Sequence, residues 1–388
     1  MKRFDCIIVG AGPAGTSAAI DLAEMGCAVL LLEKQAVPVP ICAGGLTAKV
    51  SRALGEPLDG VPMRRCYTLE VRLQQQVVWL TSTGTLANLS AREDVDGRLR
   101  QRALAKGCEL KTPAIIESIH YQAPLFSLDS NLGRFQAPFL IGADGVNSQV
   151  NRRFKLVSPW LCGLAAMCTC NNRPHTPYTH PVFTFGLVPG GYAWLFPRGD
   201  AVCVGAYSTQ PALTGIKELV LSFARDKGLS CRAHEIKGKI VPFYGISYRQ
   251  PDLPCILTGD AAGFVDYTTG EGIAHAITSG RLAAAAVRRS LRAGAFSPLW
   301  LQRRYNRHII RHLRLSYRFG RRFYRHMPAW FARVCRPLVL KTLMVAATQG
   351  LDNCRILHRL PWLLLRAAVS PGRARYGRDA AGDSPVNG

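Results

Sequence analysis

The sequence predicts an α/β (α+β) protein: a parallel nucleotide-type sheet assembled from separated stretches of chain, an inserted antiparallel β-sheet, and a helical extension. Three observations carry this prediction. First, the apolar run Phe4–Val9 passes through glycines into a helical pattern at Ala14–Met25 and then into Ala28–Leu32, which reads as βαβ. Second, the strand–glycine form returns in FLIGADG, ending at Gly145, and in PCILTGDAAG, ending at Gly263. Third, FTFGLVPGGYAWLFPRGDAVCVGAYS alternates apolar runs with PGG and RGD turns, the pattern of antiparallel hairpins.

Residues 1–60, 85–156 and 250–295 are therefore expected to form one Rossmann-like domain from non-contiguous pieces. Residues 61–84 and 157–249 are expected to form a β-rich substrate domain, 296–370 a basic helical region, and 371–388 a disordered tail. Within the first domain Arg92–Lys106 is an amphipathic helix with Val95, Leu99, Ala103 and Leu104 on one face. A second helical pattern runs from Glu271 to Leu291. A chain of 388 residues, 48% of them hydrophobic, has room for two to three domains and a sizeable core.

The charge is unevenly distributed. The chain carries 49 basic and 25 acidic residues, a net of +24, yet residues 300–388 alone hold 18 against 3. Such a block implies a polyanionic partner, an anionic membrane surface or nucleic acid. In WLQRRYNRHIIRHLRLSYRFGRRFYRHMPAWFARVCRPLVL arginines interleave with aromatic and aliphatic residues, as suits a helix lying in a membrane interface. The plainer reading is a solvated basic helix packed on the domain. An anionic membrane surface is the expected partner and nucleic acid is not.

The 13 cysteines are odd in number and scattered; Cys168 and Cys170 are the only close pair, and no CxxC offers a zinc half-site. Thiols in a reducing cytosol fit this usage. No metal set, catalytic triad or paired carboxylates are evident, and no metal is expected. The apolar run at the start is too short for a signal peptide, and no stretch reaches 18 apolar residues. The expectation is a cytoplasmic protein, peripheral at the inner face of the membrane.

The chemistry begins at Gly10-Ala11-Gly12-Pro13-Ala14-Gly15, set between a strand and a helix. The first glycine allows the tight turn, the second lets backbone approach a pyrophosphate, and the third permits close helix–strand packing. Gly10, Gly12, Ala14 and Gly15 are thus candidate cofactor-binding residues. Glu33 ends the second strand, 18 residues after Gly15, where an acid accepts hydrogen bonds from ribose hydroxyls and argues against a 2′-phosphate. FAD or NAD remain. The later Asp144–Gly145 and Gly259–Asp260 turns favour FAD, whose longer path and ribityl hydroxyls call for an acceptor such as Asp260.

Taken together, GAGPAG (10–15), Glu33, CAGGL (42–46), ARxxxDxxL (91–99), GADGxxS (142–148), GYAWLFPRGD (191–200) and GDAAGFVDYTTGEGI (259–273) resemble the geranylgeranyl reductase family. That family lies within the flavoproteins built like p-hydroxybenzoate hydroxylase, and the motifs cover about residues 1–295 in the family's order. The resemblance implies an FAD-dependent oxidoreductase that reduces C=C bonds of a prenyl lipid. NAD(P)H or another electron donor would serve as reductant. It implies that Arg92 contacts the FAD, Asp260 its ribityl and pyrophosphate region, and the backbone of Gly272 and Ile273 the flavin ring. A helix starting near Glu271 would point its positive end at that ring.

The resemblance also places Cys42 near the flavin and the alkene, with Gly44 and Gly45 as close-approach backbone. Ala43 intervenes between the cysteine and the two glycines, where the family has none. Tyr267 stands where the family often has proline, so Cys42 and Tyr267 are the candidate catalytic residues, each also readable as packing. Alternation puts Tyr192, Trp194 and Phe196 on one strand face, a wall for a polyprenyl chain or a sandwich core. His275 reads as a helix-face residue, and Asp266 and Glu271 have no assigned role. The alternatives are an FAD monooxygenase, hydroxylase or halogenase on the same fold, and a non-catalytic flavin-bearing regulator at the membrane surface.

Overall fold

The computed structural model describes residues 2–334 apart from 39–40, 159 and 172–177, together with isolated positions between 336 and 351 and the segment 373–378. Its first sheet is parallel and five-stranded, in the order Cys255–Leu257, Phe139–Gly142, Cys6–Val9, Val29–Leu32, Glu109–Lys111. The first four of these strands are fully buried, as their unbroken apolar sequences require of strands covered on both faces. Neighbours in space are thus up to about 115 residues apart in sequence, and the nucleotide-type domain is built from non-contiguous pieces.

The helices Pro13–Glu24 and Ile273–Ala293 lie against each other on this sheet. They approach closely because Gly280 has no side chain: a Cβ there would strike the backbone of Ala14. The helix Arg92–Ala105 packs on the other side of Pro13–Glu24 and buries Val95, Leu99 and Ala103, as its periodicity predicts. Leu104 is the exception and is exposed. A four-stranded sheet, Lys2–Arg3, Gly133–Ala137, Leu125–Ser130 and Ile116–Gln122, flanks the domain.

The inserted sheet has eight strands, in the order Lys237–Pro242, Cys162–Asn171, Ala201–Ser208, Gly191–Arg198, Val182–Phe185, Thr68–Leu73, Gln76–Thr81, Arg373–Arg378. One face is covered by the helix Ile216–Asp226, which inserts Val220, Phe223 and Ala224. The β pattern of 157–249 does not reveal this helix, because its short apolar stripe sits between turn residues. The other face carries Trp194, Phe196, Tyr207 and Phe243 toward the first domain. The last strand corrects an expectation. Residues 373–378, inside the segment read as a disordered tail, pair antiparallel with Gln76–Thr81 and satisfy the polar backbone of that edge.

The basic region after 296 is described as far as 334; the remainder of the expected helical segment lies outside the described residues apart from isolated positions. Pro298–Tyr305, a π-helical turn at Asn306–Ile310, Arg311–Arg325 and Met327–Val334 follow in succession. Leu301, Tyr305, Ile309, Ile310 and Leu313 are buried in the first domain's core, and the Tyr305 hydroxyl donates to the carbonyls of Leu257 (3.2 Å) and Ser279 (3.3 Å). Phe323, Met327 and Phe331 are buried against the inserted sheet. The strongest apolar stripe of this region therefore faces the protein, and the arginines at 311, 314, 318, 321, 322 and 325 face solvent. Among the described residues no helix is long and apolar enough to cross a membrane.

The close helix pair gives a test. Gly280→Val should lower stability by about 1–3 kcal/mol, the cost of overpacking a fitted contact, read as a fall in the urea midpoint.

Candidate functional site

The glycine loop at 10–15 is held from beneath by side chains that sequence alone places only in part. Gly10 has φ +100°, and a Cβ there would lie 2.7 Å from the Ala143 carbonyl carbon and 2.9 Å from the Asp144 Cα. The 143–145 turn is thus packed directly against the loop. Around Gly12, by contrast, nothing lies within 4 Å of a Cβ position, so the start of the helix Pro13–Glu24 is open to a ligand. Glu33 accepts the backbone N–H of Ala11 at 2.7 Å and that of Gln35 at 2.9 Å. Arg100, absent from the sequence reading, donates to the carbonyls of Ala11 (3.3 Å), Gln35 (3.0 Å) and Ala36 (3.3 Å) and lies 3.6 Å from the Glu33 carboxylate. One buried guanidinium therefore fixes both the phosphate-side loop and the ribose-side acid. Asp144 spends its Oδ2 on the N–H groups of Gln149 (2.7 Å) and Val150 (3.3 Å), and burial raises its carboxyl. It starts the helix Gln149–Phe154, and Gly145 beside it has open space.

A second group of charges gathers where the two domains meet. Arg92 is buried and grips Asp96 through Nε (3.1 Å) and Nη2 (2.9 and 3.1 Å). Burial opposes its charge, but Asp96 and the adjoining Cys42 thiol raise its pKa above the ordinary value. Lys239, from the inserted sheet, places Nζ 2.7 Å from Asp260 Oδ2; the carboxylate raises the lysine against the pull of burial. The Cβ position of Gly272 lies 3.3 Å from the other Asp260 oxygen. The second glycine loop is thus folded over its own acid. Gly259 (φ +55°) has the side chains of Ala14 and Ala276 at 3.1 and 3.3 Å from its Cβ position, and its N–H donates to Ser279 Oγ.

The unassigned acids of this loop hold its shape. Asp266 is 2% exposed, and its Oδ1 accepts from Thr268 N (2.9 Å), Thr269 N (2.9 Å) and Ser316 Oγ (2.7 Å). Its Oδ2 meets His312 Nε2 at 3.0 Å. Burial alone would raise this carboxyl, yet His312, Lys49 and Ser316 hold it far below the usual range. Glu271 accepts from Thr47 Oγ1 (2.8 Å) and lies 3.3 Å from Lys49 Nζ. Tyr192, Tyr207 and Tyr324 each donate a hydroxyl, to the carbonyls of Thr269 (2.5 Å), Tyr267 (2.6 Å) and Thr268 (2.6 Å). His275 stacks 5.1 Å from His312, and burial, then the His312 charge, pushes it down to about 4.

Tyr192, Trp194 and Phe196 join one aromatic cluster with Phe183, Tyr207, Phe243 and Tyr267. Ring centroids are 6.2 Å apart for Tyr192–Trp194, 6.4 Å for Trp194–Phe196 and 5.0 Å for Phe243–Tyr267. The Cβ position of Gly45 is 3.0 Å from the Phe196 ring, so the CAGGL backbone runs along this wall. Gly44 has φ +80°, and a Cβ there would strike the Ser90 carbonyl. The inserted Ala43 has a visible effect. Ile41 and Ala43 pack into the aromatic cluster, while Cys42 packs with Leu46 and Val50 and beside Arg92. Tyr267 is wedged between Phe243 and Tyr317, whose centroid is 5.0 Å away, and it fills the space left by Gly320.

An open helix start beside a ribose-side acid, with a second acid-bearing loop beyond it, suits a dinucleotide carrying a further polyol and ring. These residues fit FAD, and the fold is that of the FAD-dependent oxidoreductases. Comparison with known proteins bears on the class. Residues 5–53 match the family model "Glucose inhibited division protein A". An uncharacterised protein of Methanosarcina barkeri is 38% identical over 354 residues, 90% of this chain and 92% of that protein. A geranylgeranyl diphosphate reductase of Rhodobacter capsulatus is 28% identical over 313 residues, covering 78% and 79% of the two chains. The solved structure of a geranylgeranyl bacteriochlorophyll reductase-like protein from Thermoplasma acidophilum superposes with a TM-score of 0.76 over 95% of this chain and 96% of that one, at 19% identity. Solved flavin-dependent monooxygenases and halogenases share the fold as well. The chain belongs to the geranylgeranyl reductase family of FAD-dependent oxidoreductases.

The His275 environment has a measurable consequence. The unfolded chain protonates this histidine near 6.5, whereas the fold resists until about 4, so the unfolded state binds more protons between those values. Stability should therefore rise with pH across that window, by up to about 3 kcal/mol. His275→Gln should flatten the rise, as read from urea midpoints at either end of it.

Proposed function

We propose that the protein reduces C=C bonds of a prenyl chain on a lipid or isoprenoid, by hydride transfer from reduced FAD. The observation that carries this reading is the meeting of the CAGGL backbone, the aromatic strand Gly191–Arg198 and the 259–273 loop in one cluster. An apolar, aromatic wall beside a flavin-type site suits a long hydrocarbon substrate and offers little to a charged one. The named reductases among the relatives support the same substrate class.

In this reading Gly10, Gly12, Ala14 and Gly15 hold the pyrophosphate at a helix start. Glu33 accepts from the ribose, and Asp260, with Gly259, accepts from the ribityl hydroxyls. Arg92, Gly44 and Gly45 border the ring, while the N–H groups at Gly272 and Ile273 face its electron-rich edge. Asp144 and Gly145 brace the phosphate loop through their backbone. Bound and reduced, the cofactor would supply a hydride to one alkene carbon. The protein must hold the alkene still, exclude water and deliver a proton to the other carbon. Cys42 beside the Arg92 cation and Tyr267 at the aromatic wall are the proposed donors. NAD(P)H or another donor supplies the electrons.

The test is to reconstitute the full chain with FAD, reduce it without oxygen, and add a geranylgeranyl lipid. The expected result is reoxidation of the flavin with a product heavier by two hydrogens per bond. Reoxidation by oxygen coupled to hydroxylation or halogenation of a phenol would replace this reading with the alternative one. Reoxidation by neither would favour a regulatory flavoprotein. Removing the true proton donor should slow alkene reduction by about 10²–10⁴-fold, so Cys42→Ala and Tyr267→Phe separate the two candidates.

The outward arginines of the helix Arg311–Arg325 support a second proposal, adsorption to an anionic membrane through charge rather than by insertion of its buried apolar stripe. Full-length protein should sediment with anionic vesicles and not with neutral ones, and combined Arg318→Glu, Arg321→Glu and Arg325→Glu should release it. Equal, negligible binding to both vesicle types would refute this.

A further inference from the structure

On the face of the inserted sheet turned away from the flavin-type site, three cysteine sulfurs converge. Cys168 and Cys170 are alternate residues of the strand Cys162–Asn171 and point to the same side, as the two-residue period of a strand dictates. Cys231 arrives 63 residues after Cys168, on the segment following the helix Ile216–Asp226. All three sulfurs lie within 4.8 Å of one another, and those of Cys168 and Cys170 are 3.7 Å apart. Cys168 and Cys231 are joined as a disulfide in the structure, which leaves Cys170 as a third sulfur directly against the pair. Among the described residues this is the one group of three such side chains drawn close enough to share an ion.

We propose that the reduced cluster binds one zinc ion through the thiolates of Cys168, Cys170 and Cys231. At a Zn–S distance of about 2.3 Å, tetrahedral thiolates sit about 3.8 Å from one another, a spacing that this cluster reaches with small side-chain shifts. Cys168 and Cys170 are buried among apolar neighbours, whereas Cys231 is partly exposed, so the fourth position opens to water. Binding exchanges three thiol protons for one Zn²⁺ and leaves the sulfur oxidation state unchanged. Two free thiols would suffice for a disulfide; a third sulfur of matching reach is what a soft cation uses. The ion would pin the segment after Ile216–Asp226 onto the sheet, on the side opposite Met167 and Cys203, which face the aromatic cluster. It would act as a staple for the substrate sheet and would not touch the flavin-type site.

The experiment uses the full-length chain, reduced and desalted without oxygen, titrated with Zn²⁺ alone and in parallel with Co²⁺ as a spectroscopic probe. The expected result is one ion per chain, with tetrahedral Co²⁺ bands to the red of any flavin absorption and displacement of Co²⁺ by Zn²⁺. Cys170→Ser preserves the Cys168–Cys231 pair, and Cys231→Ser alters only a partly exposed position. Each should weaken binding by about 100-fold, the upper end of what changing a mere outer-sphere partner costs. An unchanged FAD spectrum in both variants reports that they are folded. No stoichiometric uptake by the reduced chain, a disulfide that resists reduction and excludes the ion, or uptake indifferent to Cys170→Ser would each overturn the proposal.

Discussion

The buried carboxylate of Asp266 is the constraint on which the rest of the site depends. A carboxylate 2% exposed is costly to desolvate, and it is tolerated here because two backbone N–H groups, a serine hydroxyl and a histidine converge on it. Two of those partners, Ser316 and His312, belong to the arginine-rich helix, some 50 residues further along the chain. The loop that faces the flavin-type site and the C-terminal helix are therefore one unit. Neither can move without exposing or stranding a buried charge.

The same logic explains why a region so basic is not an appendage. Its outward side is arginine, but its inward side supplies His312, Ser316, the Gly320 gap that receives Tyr267, and the Tyr324 hydroxyl that holds Thr268. Tyr192 and Tyr207 grip the same loop from the inserted sheet. Three structural units thus meet on a stretch of about eight residues. The two acids left over in that stretch have distinct tasks: Asp266 looks back to the C-terminal helix, and Glu271 looks forward to Thr47 and Lys49 beside the CAGGL turn.

Much of the architecture was legible in the sequence because its signals are local. GAGPAG, the strand before it and Glu33 after it define their own geometry within about 30 residues, and the returns of the strand–glycine form announced the discontinuous sheet. The missing parts are long-range. Nothing in the pattern of Arg92–Ala105 distinguishes Arg100 from its neighbours, yet it alone reaches under the phosphate loop. Lys239 lies in a strand that reads as an exposed edge, and only the fold brings it 2.7 Å from Asp260. The arginine–aromatic alternation after 300 has the same helical period whether its apolar stripe meets lipid or protein. A binary pattern states that a face is buried and leaves open what buries it.

The discontinuous parallel sheet also sets an order of events during synthesis. The strand Cys6–Val9 emerges early, but its neighbour Phe139–Gly142 follows more than 130 residues later, and Cys255–Leu257 later still. Until then the nascent chain presents an apolar strand edge with unpaired backbone, the kind of surface that recruits aggregation. Contacts of such sequence separation form slowly. A protein whose cofactor site closes only when residues from the last quarter of the chain dock onto Asp266 cannot acquire that site while it is still being made. Cofactor capture must wait for release of the chain, and in the interval protection falls to whatever shields the exposed strands.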